Sequence, residues 1–439
     1  FMHWKRLCSA LLSVALLMPC VSVIASEQST KEEVLPAEIA PAPDGARAIL
    51  SMTFDDGDYD TAVWLDSEFE KYGLAGSCML IVGKNIANTY DPTNTKYLKW
   101  KELFAKGRLE PQSHTMTHDP IPAEKWATGN NAKYIYNNTQ AKYKYELIDS
   151  RDLLDRYFPD QNILTLATSN NTLSFWTFDA EEDGTLKTDA DGNYIRLEDG
   201  GATAVARRAY YAVRQGERGL QSLSPDTLSD GAGSWRSLYM HRFLDATIEK
   251  GKGWIDDAVT KGGWLITLSH GITATTGDYN MADADAFFAH AAKYVASGEL
   301  WCGTFSEATR YVRERQNATV RAVATGSGFR VGVTLATTTA DGLPLPADVF
   351  NYPLTVNVEV PAGVRAASYV EDGVTRYTDA FTADGKNYVA VRVVPGTVVE
   401  VTSMKTRTVS LNPTATVTVV SDGTTVTDSL TVSAGNVYT

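Results

Sequence analysis

The sequence predicts an α/β domain followed by an all-β domain, and two observations support this prediction. Between residues 47 and 316, short apolar runs alternate with segments whose apolar residues recur at helical spacing. Repeated strand-then-helix units predict a parallel sheet with helices outside it, either open or closed into a barrel. After residue 316, valine, threonine and glycine dominate and strict alternation replaces the helical period. That pattern is typical of β-strands.

Length and charge narrow the class of protein. The 439 residues are too many for one ordinary core, so we expect two or more domains. The formal net charge is -13, and an acidic surface repels nucleic acid and anionic lipid. We therefore expect no nucleic-acid partner, and we expect a neutral or cationic substrate rather than an anionic one.

The first residues predict export. Lys5 and Arg6 precede an apolar run over residues 7–25, which is typical of a secretory signal peptide, here cleaved after Ala25. The alternative is a single membrane anchor, but the run is short for a span and contains polar residues. We expect a protein that is secreted, periplasmic or on the cell surface, with no membrane span after cleavage. Residues 26–46, rich in Glu, Pro and Ala, are predicted to be a linker.

The elements of the first domain, residues 47–316, follow from the apolar periodicity. Strands are predicted at 48–53, 77–82, 109–113, 163–167, 210–214, 264–268 and 300–304. Helices are predicted around 65–72, 98–104, 147–158, 284–297 and 305–316, with Gly73 ending the first. Residues 172–202 interrupt this rhythm, and we interpret 189–193 as a hairpin turn rather than part of a calcium loop.

The remaining residues predict β structure. Alternating apolar residues at 354–360 and 389–393, separated by turn signals, predict a β-sandwich over residues 317–403. Residues 404–439 are predicted to be a β-rich tail, either an extra strand pair or part of an incomplete domain. Cys78 and Cys302 are predicted to be two separate buried thiols, although export would permit a disulfide.

Candidate chemistry appears where strands end. Asp55 and Asp56 follow an apolar strand, and two adjacent buried carboxylates are costly unless a cation satisfies them. A divalent metal would do so, leaving one carboxylate to coordinate and the other to act as a base. The alternative is an ordinary Asp-Asp-Gly surface turn.

Three histidines fit the same site. His114 and His118 are four residues apart, which suits two side chains that share one metal. His270 ends another buried strand and is followed by glycine, so it is placed to reach a site from a rigid base. All these residues would share the rim where parallel strands end.

The motifs resemble those of a known family. Residues 53–57 (Thr-Phe-Asp-Asp-Gly), 113–118 (Ser-His-Thr-Met-Thr-His) and 268–270 (Leu-Ser-His) are similar to the first, second and fifth motifs of the polysaccharide deacetylase family, with the NodB homology domain, carbohydrate esterase family four. The resemblance covers residues 47–316. It implies a distorted (β/α) barrel of about seven parallel strands. It also implies hydrolysis of N- or O-linked acetyl groups on a polysaccharide or cell-wall glycan.

The resemblance also implies roles for individual residues. Asp56, His114 and His118 would hold one divalent metal, usually described as zinc in the family. Asp55 would be the catalytic base and His270 the catalytic acid. Leu268 would line the pocket for the acetyl methyl group.

Two motifs of the family have no clear match. The arginine of the third motif, which holds the base carboxylate, is absent from the strand ending near residue 167, and Arg214 on a later strand is predicted to replace it. For the fourth motif, Asp226, Asp230 and Trp235 are the candidates. These departures keep open the alternative of a catalytically impaired glycan-binding protein on the same fold. A third hypothesis for the function is a cyclic-amide hydrolase on the same fold.

Overall fold

A computed structural model gives the fold of residues 32–121, 137–171, 173–224, 228, 234–243, 246–275 and 279–405, and of strands between 409 and 438. The predicted signal peptide lies outside the described residues, as do Asp226 and Asp230. Residues from Val34 onward form one compact unit. Among the described residues, no helix has the length and hydropathy needed to cross a membrane.

The strands, in chain order, are β1 (Val34–Leu35), β2 (Ala37–Ile39), β3 (Ala48–Phe54), β4 (Gly76–Leu80), β5 (Leu109–Ser113), β6 (Thr165–Ala167), β7 (Thr177–Phe178), β8 (Arg196–Leu197), β9 (Ala212–Arg218), β10 (Gln221–Ser222), β11 (Leu238–Arg242), β12 (Gly263–Ser269), β13 (Leu300–Cys302), β14 (Ala318–Ala324), β15 (Gly328–Leu335), β16 (Leu354–Val360), β17 (Ala366–Glu371), β18 (Val374–Ala383), β19 (Lys386–Val393), β20 (Val398–Met404), β21 (Val409–Ser410), β22 (Ala415–Ser421), β23 (Thr424–Val432) and β24 (Val437–Tyr438).

The helices are α1 (Tyr59–Tyr72), α2 (Val82–Asn85), α3 (Thr95–Phe104), α4 (Gln140–Tyr143), α5 (Ser150–Tyr157), α6 (Gly201–Ala209), α7 (Ile248–Lys261), α8 (Met281–Ala296) and α9 (Phe305–Asn317). A π-helical turn, Lys144–Asp149, joins α4 to α5. Short 3-10 turns occupy Pro43–Gly45 and Ser169–Asn171.

Seven parallel strands close into a barrel, in the order β3, β4, β5, β6, β9, β11 and β12. Closure comes from β12, which pairs with β3 from Trp264 opposite Ile49 to Ser269 opposite Phe54. β13 pairs with the amino-terminal half of β3, outside the ring. The predicted distorted barrel of about seven parallel strands is therefore confirmed.

Local sequence signals define the helix ends around the barrel. The Asp58 side chain accepts a hydrogen bond from the Thr61 N–H and begins α1, and Gly73 ends it in the left-handed conformation, as predicted. Thr304 and Glu307 form a reciprocal capping box at the start of α9. The predicted hairpin turn is also present, because Asp189 accepts hydrogen bonds from the N–H groups of Asp191 and Asn193.

Several elements of the first domain differ from the sequence prediction. The sixth strand of the ring, β11, and the helix that follows it, α7, were not predicted. The helix predicted over residues 147–158 is interrupted by the π-helical turn that ends at Asp149. β9 begins at Ala212 and continues to Arg218, beyond the predicted end at residue 214.

The second domain is all-β, as predicted. Nine strands run in the order β1-β14-β15-β20-β17-β18-β19-β16-β2, with antiparallel pairing throughout. The sheet folds over at β18, whose first part pairs with β17 and whose last part pairs with β19. Val331, Val356 and Val391 from the two halves lie in one apolar cluster, so the halves pack face to face.

The prediction of a linker over residues 26–46 is wrong for the second half of that segment. β1 pairs with β14 and β2 pairs with β16, so this segment supplies two strands of the sandwich. Pro36 separates them, and short edge strands tolerate proline, which hid the pattern. In the tail, β21 pairs with β24 and β22 with β23. Cys78 and Cys302 are unpaired, as predicted.

Candidate active site

The carboxyl-terminal rim of the barrel gathers the residues that the sequence singled out. Asp55 and Asp56 directly follow β3, His114 directly follows β5, and His270 directly follows β12. Arg214 lies within β9, opposite Ala167 of β6. Strands that are far apart in the chain are neighbours in the ring, which brings these side chains to one place.

Asp56, His114 and His118 form a cluster suited to a metal ion. The Oδ1 atom of Asp56 is 3.5 Å from Nε2 of His114 and 3.6 Å from Nε2 of His118. One ligand atom from each of the three residues lies within 4.8 Å of the others. Two imidazoles and one carboxylate are a common ligand set for divalent metals, including catalytic zinc.

The hydrogen bonds around this cluster fit a divalent ion. Nδ1 of His114 is 2.8 Å from the Ala167 carbonyl oxygen. A proton on Nδ1 makes this contact a hydrogen bond and leaves the lone pair of Nε2 facing Asp56. The Oδ1 atom of Asp56 is buried and accepts no hydrogen bond from the described residues. A cation between these atoms would satisfy both the carboxylate and the imidazoles.

The electrostatics favour the ligand forms of these groups. The close approach of the His114 ring, whose Nε2 lies 3.5 Å from Oδ1, followed by the charges of the neighbouring histidines when these are protonated, lowers the pKa of Asp56 to about 2, against the opposing effect of burial. Burial and the nearby His114 lower the pKa of His118. Asp56 is therefore ionised and His118 is neutral near pH 7, as metal coordination requires.

The loops that carry Asp56 and His118 are held in unusual backbone conformations. Asp56 and His118 have φ angles of 69° and 65°, in the left-handed region, which non-glycine residues adopt only at some cost. The Asn85 amide donates to the carbonyls of Asp56 (3.0 Å) and Gly57 (2.9 Å). Asn85 was not predicted, because nothing in the sequence around α2 separates it from other polar helix residues.

Asp55 is paired with Arg214 inside the barrel. Nη2 of Arg214 donates to both carboxylate oxygens of Asp55, at 2.6 and 2.7 Å. The Arg214 side chain is 0% exposed and that of Asp55 is 3% exposed. Asp55 also lies beside the cluster of Asp56, His114 and His118, with Oδ2 at 3.8 Å from Nε2 of His114. The structure thus brings Arg214 against Asp55 from β9, whereas the predicted third-motif strand, β6, contributes no charged side chain there.

The remaining predicted residues lie at different depths. His270 is partly buried and lines a small cavity with Asp55 and Asp58. Leu268 is 1% exposed and lies within the apolar interior of the barrel. Trp235 lies just before β11 and donates to Gln316 of α9. It is therefore at the opposite end of the barrel and cannot stand in for the fourth motif beside His270.

No protein-family model and no curated protein matches this chain. Several solved structures resemble it. A family 4 acetyl xylan esterase from Clostridium thermocellum in complex with a cobalt ion shares 12% identity, covering 59% of this chain and 89% of that chain at a TM-score of 0.32. A family 4 carbohydrate esterase from Streptomyces lividans in complex with acetate shares 14% identity, covering 59% and 93% at a TM-score of 0.32.

A third solved structure is a CE4 family pseudoenzyme from Bacillus anthracis, with 8% identity, covering 60% of this chain and 65% of that chain at a TM-score of 0.33. All three structures are named as members of carbohydrate esterase family four, the family that the motifs of this chain resemble. Identities and TM-scores of this size do not support an activity. The case for function depends on the residues of this chain.

Proposed function

We propose that this chain is an exported, metal-dependent hydrolase that removes N- or O-linked acetyl groups from a polysaccharide or cell-wall glycan. The observation that supports it best is the cluster of Asp56, His114 and His118 beside a buried, arginine-paired carboxylate, Asp55, at the open rim of a barrel. The motif resemblance suggests zinc as the ion, although this ligand set does not select sharply among divalent metals.

Each residue of the site would have a separate role in hydrolysis. A bound divalent ion would lower the pKa of a water molecule and polarise the acetyl carbonyl. Asp55 would accept the proton of the attacking water at a carboxylate oxygen. Arg214 fixes the orientation of that carboxylate with two hydrogen bonds and balances its charge.

The opposite side of the site would supply the acid. His270 follows β12 and shares a small cavity with Asp55. From there it would protonate the departing sugar amine or hydroxyl, and Leu268 at the carboxyl end of the same strand would bound the pocket for the methyl group. The predicted signal peptide and the attached sandwich favour an extracellular polymer as substrate over a small cyclic amide.

Acetate release from a panel of acetylated glycans tests this proposal. The purified protein would be assayed before and after chelation, and again after zinc restoration. We expect chelation to abolish release and zinc to restore it. Asp55→Asn should lower turnover by about 100-fold or more. Asp60→Asn is the matched control, because Asp60 is exposed on α1, and it should leave turnover unchanged.

The outcome separates the proposal from its alternative. If no substrate releases acetate although the protein binds zinc stoichiometrically, the hydrolase proposal is wrong and a catalytically impaired glycan-binding protein is favoured. Release that chelation does not affect would contradict the assignment of Asp56, His114 and His118.

A further inference from the structure

We infer that Glu146 is a positioning residue that presets the turn between His114 and His118 for metal binding. This inference depends on the metal site in the proposed function. Glu146 is fully buried and belongs to the π-helical turn between α4 and α5. None of the sequence motifs described above includes it.

The Glu146 carboxylate holds the centre of the turn. Its Oε2 atom accepts hydrogen bonds from the backbone N–H of Met116 (3.0 Å) and of Thr117 (2.9 Å). Its Oε1 atom accepts one from the Thr117 hydroxyl at 2.6 Å. An ionised carboxylate offers only acceptors, which matches these three donors, and charge-assisted hydrogen bonds of this kind are stronger than neutral ones.

The carbonyl side of the same turn is also held. The N–H of Val82 donates to the Thr115 carbonyl (3.1 Å), and the N–H of Gly83 donates to the Met116 carbonyl (2.9 Å). Both donors lie in the first turn of α2. The backbone between the two histidines is therefore fixed from α2 on one side and from Glu146 on the other.

The turn needs such support because its backbone is strained. Thr115 has a φ angle of 68° and His118 one of 65°, both in the left-handed region. Residues in this region keep their conformation only when the surroundings impose it. Without Glu146, the buried N–H of Met116 and the partly buried N–H of Thr117 would lose their acceptor, and the turn would be free to relax away from the geometry that brings both Nε2 atoms to Asp56.

The π-helical turn explains why Glu146 can serve this purpose. Such turns are rare and disturb the regular helical hydrogen bonds. Here the Ser150 hydroxyl donates to the Glu146 carbonyl (2.6 Å) and the Tyr210 hydroxyl donates to the Leu147 carbonyl (2.6 Å). The turn is thus anchored to its own helix and to Tyr210, which directly follows α6, and it presents the carboxylate in one fixed direction.

Zinc affinity of the metal-free protein, measured by competition with a chromogenic chelator, tests the inference. Glu146→Gln keeps the side-chain shape but replaces one acceptor oxygen by a donor. We expect it to weaken zinc binding about 10- to 100-fold, the usual cost of losing a partner that orients metal ligands. Thr117→Val removes the hydroxyl's bond to Glu146 and the longer one that it accepts from the Asp119 N–H (3.2 Å), but keeps both backbone bonds to Glu146, and should weaken zinc binding by a few-fold.

Glu110→Gln is the matched control. Glu110 is another buried carboxylate that accepts hydrogen bonds from serine side chains, those of Ser77 and Ser306. It precedes His114 by four residues on β5, about 13 Å further down the barrel. A merely structural role of buried glutamates would affect both variants alike, so Glu110→Gln should keep the wild-type zinc affinity within about twofold.

The outcomes are distinct. Zinc affinity of Glu146→Gln equal to wild type within about twofold would overturn the inference while leaving the proposed function intact. If Glu146→Gln does not fold, Thr117→Val decides, since unchanged affinity in that variant contradicts the inference and a few-fold loss supports it. A wild-type protein that binds no zinc, cobalt or manganese would overturn both the metal site and the role of Glu146.

Discussion

At the scale of single residues, Asp55 and Arg214 depend on each other. Both are buried, and the Arg214 Nε and Nη1 atoms find no acceptor among the described residues. Such a pair is weak evidence for stability as a whole, yet removing one partner leaves the other as an unpaired buried charge. The arrangement is costly for folding, and under the proposed function it would hold the Asp55 base in one orientation.

Arg214→Met should lower the free energy of unfolding by about 3 kcal/mol or more, because it leaves the Asp55 carboxylate buried without a partner. The double variant Asp55→Asn/Arg214→Met should lose less than the sum of the two single variants, since neither charge is then left alone. Urea unfolding measures both effects. Arg208→Met on the exposed side of α6 is the control. Strict additivity would contradict the coupling.

Glu110 gives a pH dependence whose sign can be stated. Burial raises the pKa of Glu110 from 4.5 to about 7, against the lowering effect of hydrogen bonds from Ser306 and Ser77. Below pH 4.5 the group is protonated in both folded and unfolded chains. Between pH 4.5 and 7 only the unfolded chain releases the proton, so unfolding becomes easier as pH rises, by up to about 3 kcal/mol. Above pH 7 this contribution is constant.

Glu110→Gln removes this titration. Chemical unfolding of wild type and variant at several pH values from 4 to 8 should show the variant gaining relative stability across pH 4.5 to 7 and no further change above. Other carboxyl groups cancel in the difference between the two proteins. A difference that does not change with pH would show that Glu110 titrates normally in the folded chain.

At the scale of elements, the sequence predicted most barrel strands because buried parallel strands are continuous apolar runs. The prediction of β5 matches the structure at both ends. Strand β11 was not predicted, and its sequence includes the polar residues His241 and Arg242. His241 stacks on Trp254 of α7 at 4.6 Å between ring centroids, so an aromatic side chain from another element covers a residue that appears polar in the sequence.

The cluster of Asp56, His114 and His118 was predictable for the same reason as the strands, since its residues lie at or close to strand ends. Arg214 could be proposed only from the order of the strands. Asn85 and Glu146 could not be predicted at all. Asn85 is the last residue of the four-residue helix α2, and Glu146 lies in a π-helical turn. Neither element has a periodicity that a sequence reveals.

The loop that follows β3 provides an element-scale prediction. Gly57 has a φ angle of +62°, and a Cβ atom there would lie 2.4 Å from Oδ1 of Asn85. Gly57→Ala should therefore weaken zinc binding and lower stability by about 1 kcal/mol or more. Asn85→Ala loses two hydrogen bonds but removes the clash, so the double variant should lose less than the sum. Zinc competition and urea unfolding measure this, and additive losses would contradict it.

At the scale of the whole molecule, the barrel and the sandwich share one apolar cluster. It runs from Trp264 and Phe305 at the amino-terminal end of the barrel to Val331 and Val356 of the sandwich. Val34 of β1 also pairs with Val323 of β14, about 290 residues later, so the whole barrel sequence lies between two paired strands of the sandwich. Composition predicted two domains because their residue types differ, but composition carries no information on how the two bury each other.

Tyr311 of α9 connects the barrel directly to the segment that follows β2 of the sandwich. Loss of its hydroxyl should lower the stability of both domains together. Its buried hydroxyl lies 2.8 Å from the Ala40 carbonyl oxygen and 3.0 Å from that of Ala42, which precede the barrel. Tyr311→Phe leaves these carbonyls without that donor, so we expect a loss of about 1–3 kcal/mol. Tyr377→Phe, on a half-exposed ring of β18, is the control and should change stability by less than about 0.5 kcal/mol.

Two probes can tell whether the barrel and the sandwich unfold as one. All nine tryptophans precede residue 317, so tryptophan fluorescence reports on the barrel and on the shared core, where Trp301 packs against Tyr352. Hydrogen exchange of the amides of β16 and β19 follows the sandwich. If the shared core couples them, Tyr311→Phe should move both signals to the same lower denaturant concentration. A shift in fluorescence with unchanged protection in β16 and β19 would mean that the sandwich folds independently, and that its contact with the barrel contributes little to its own stability.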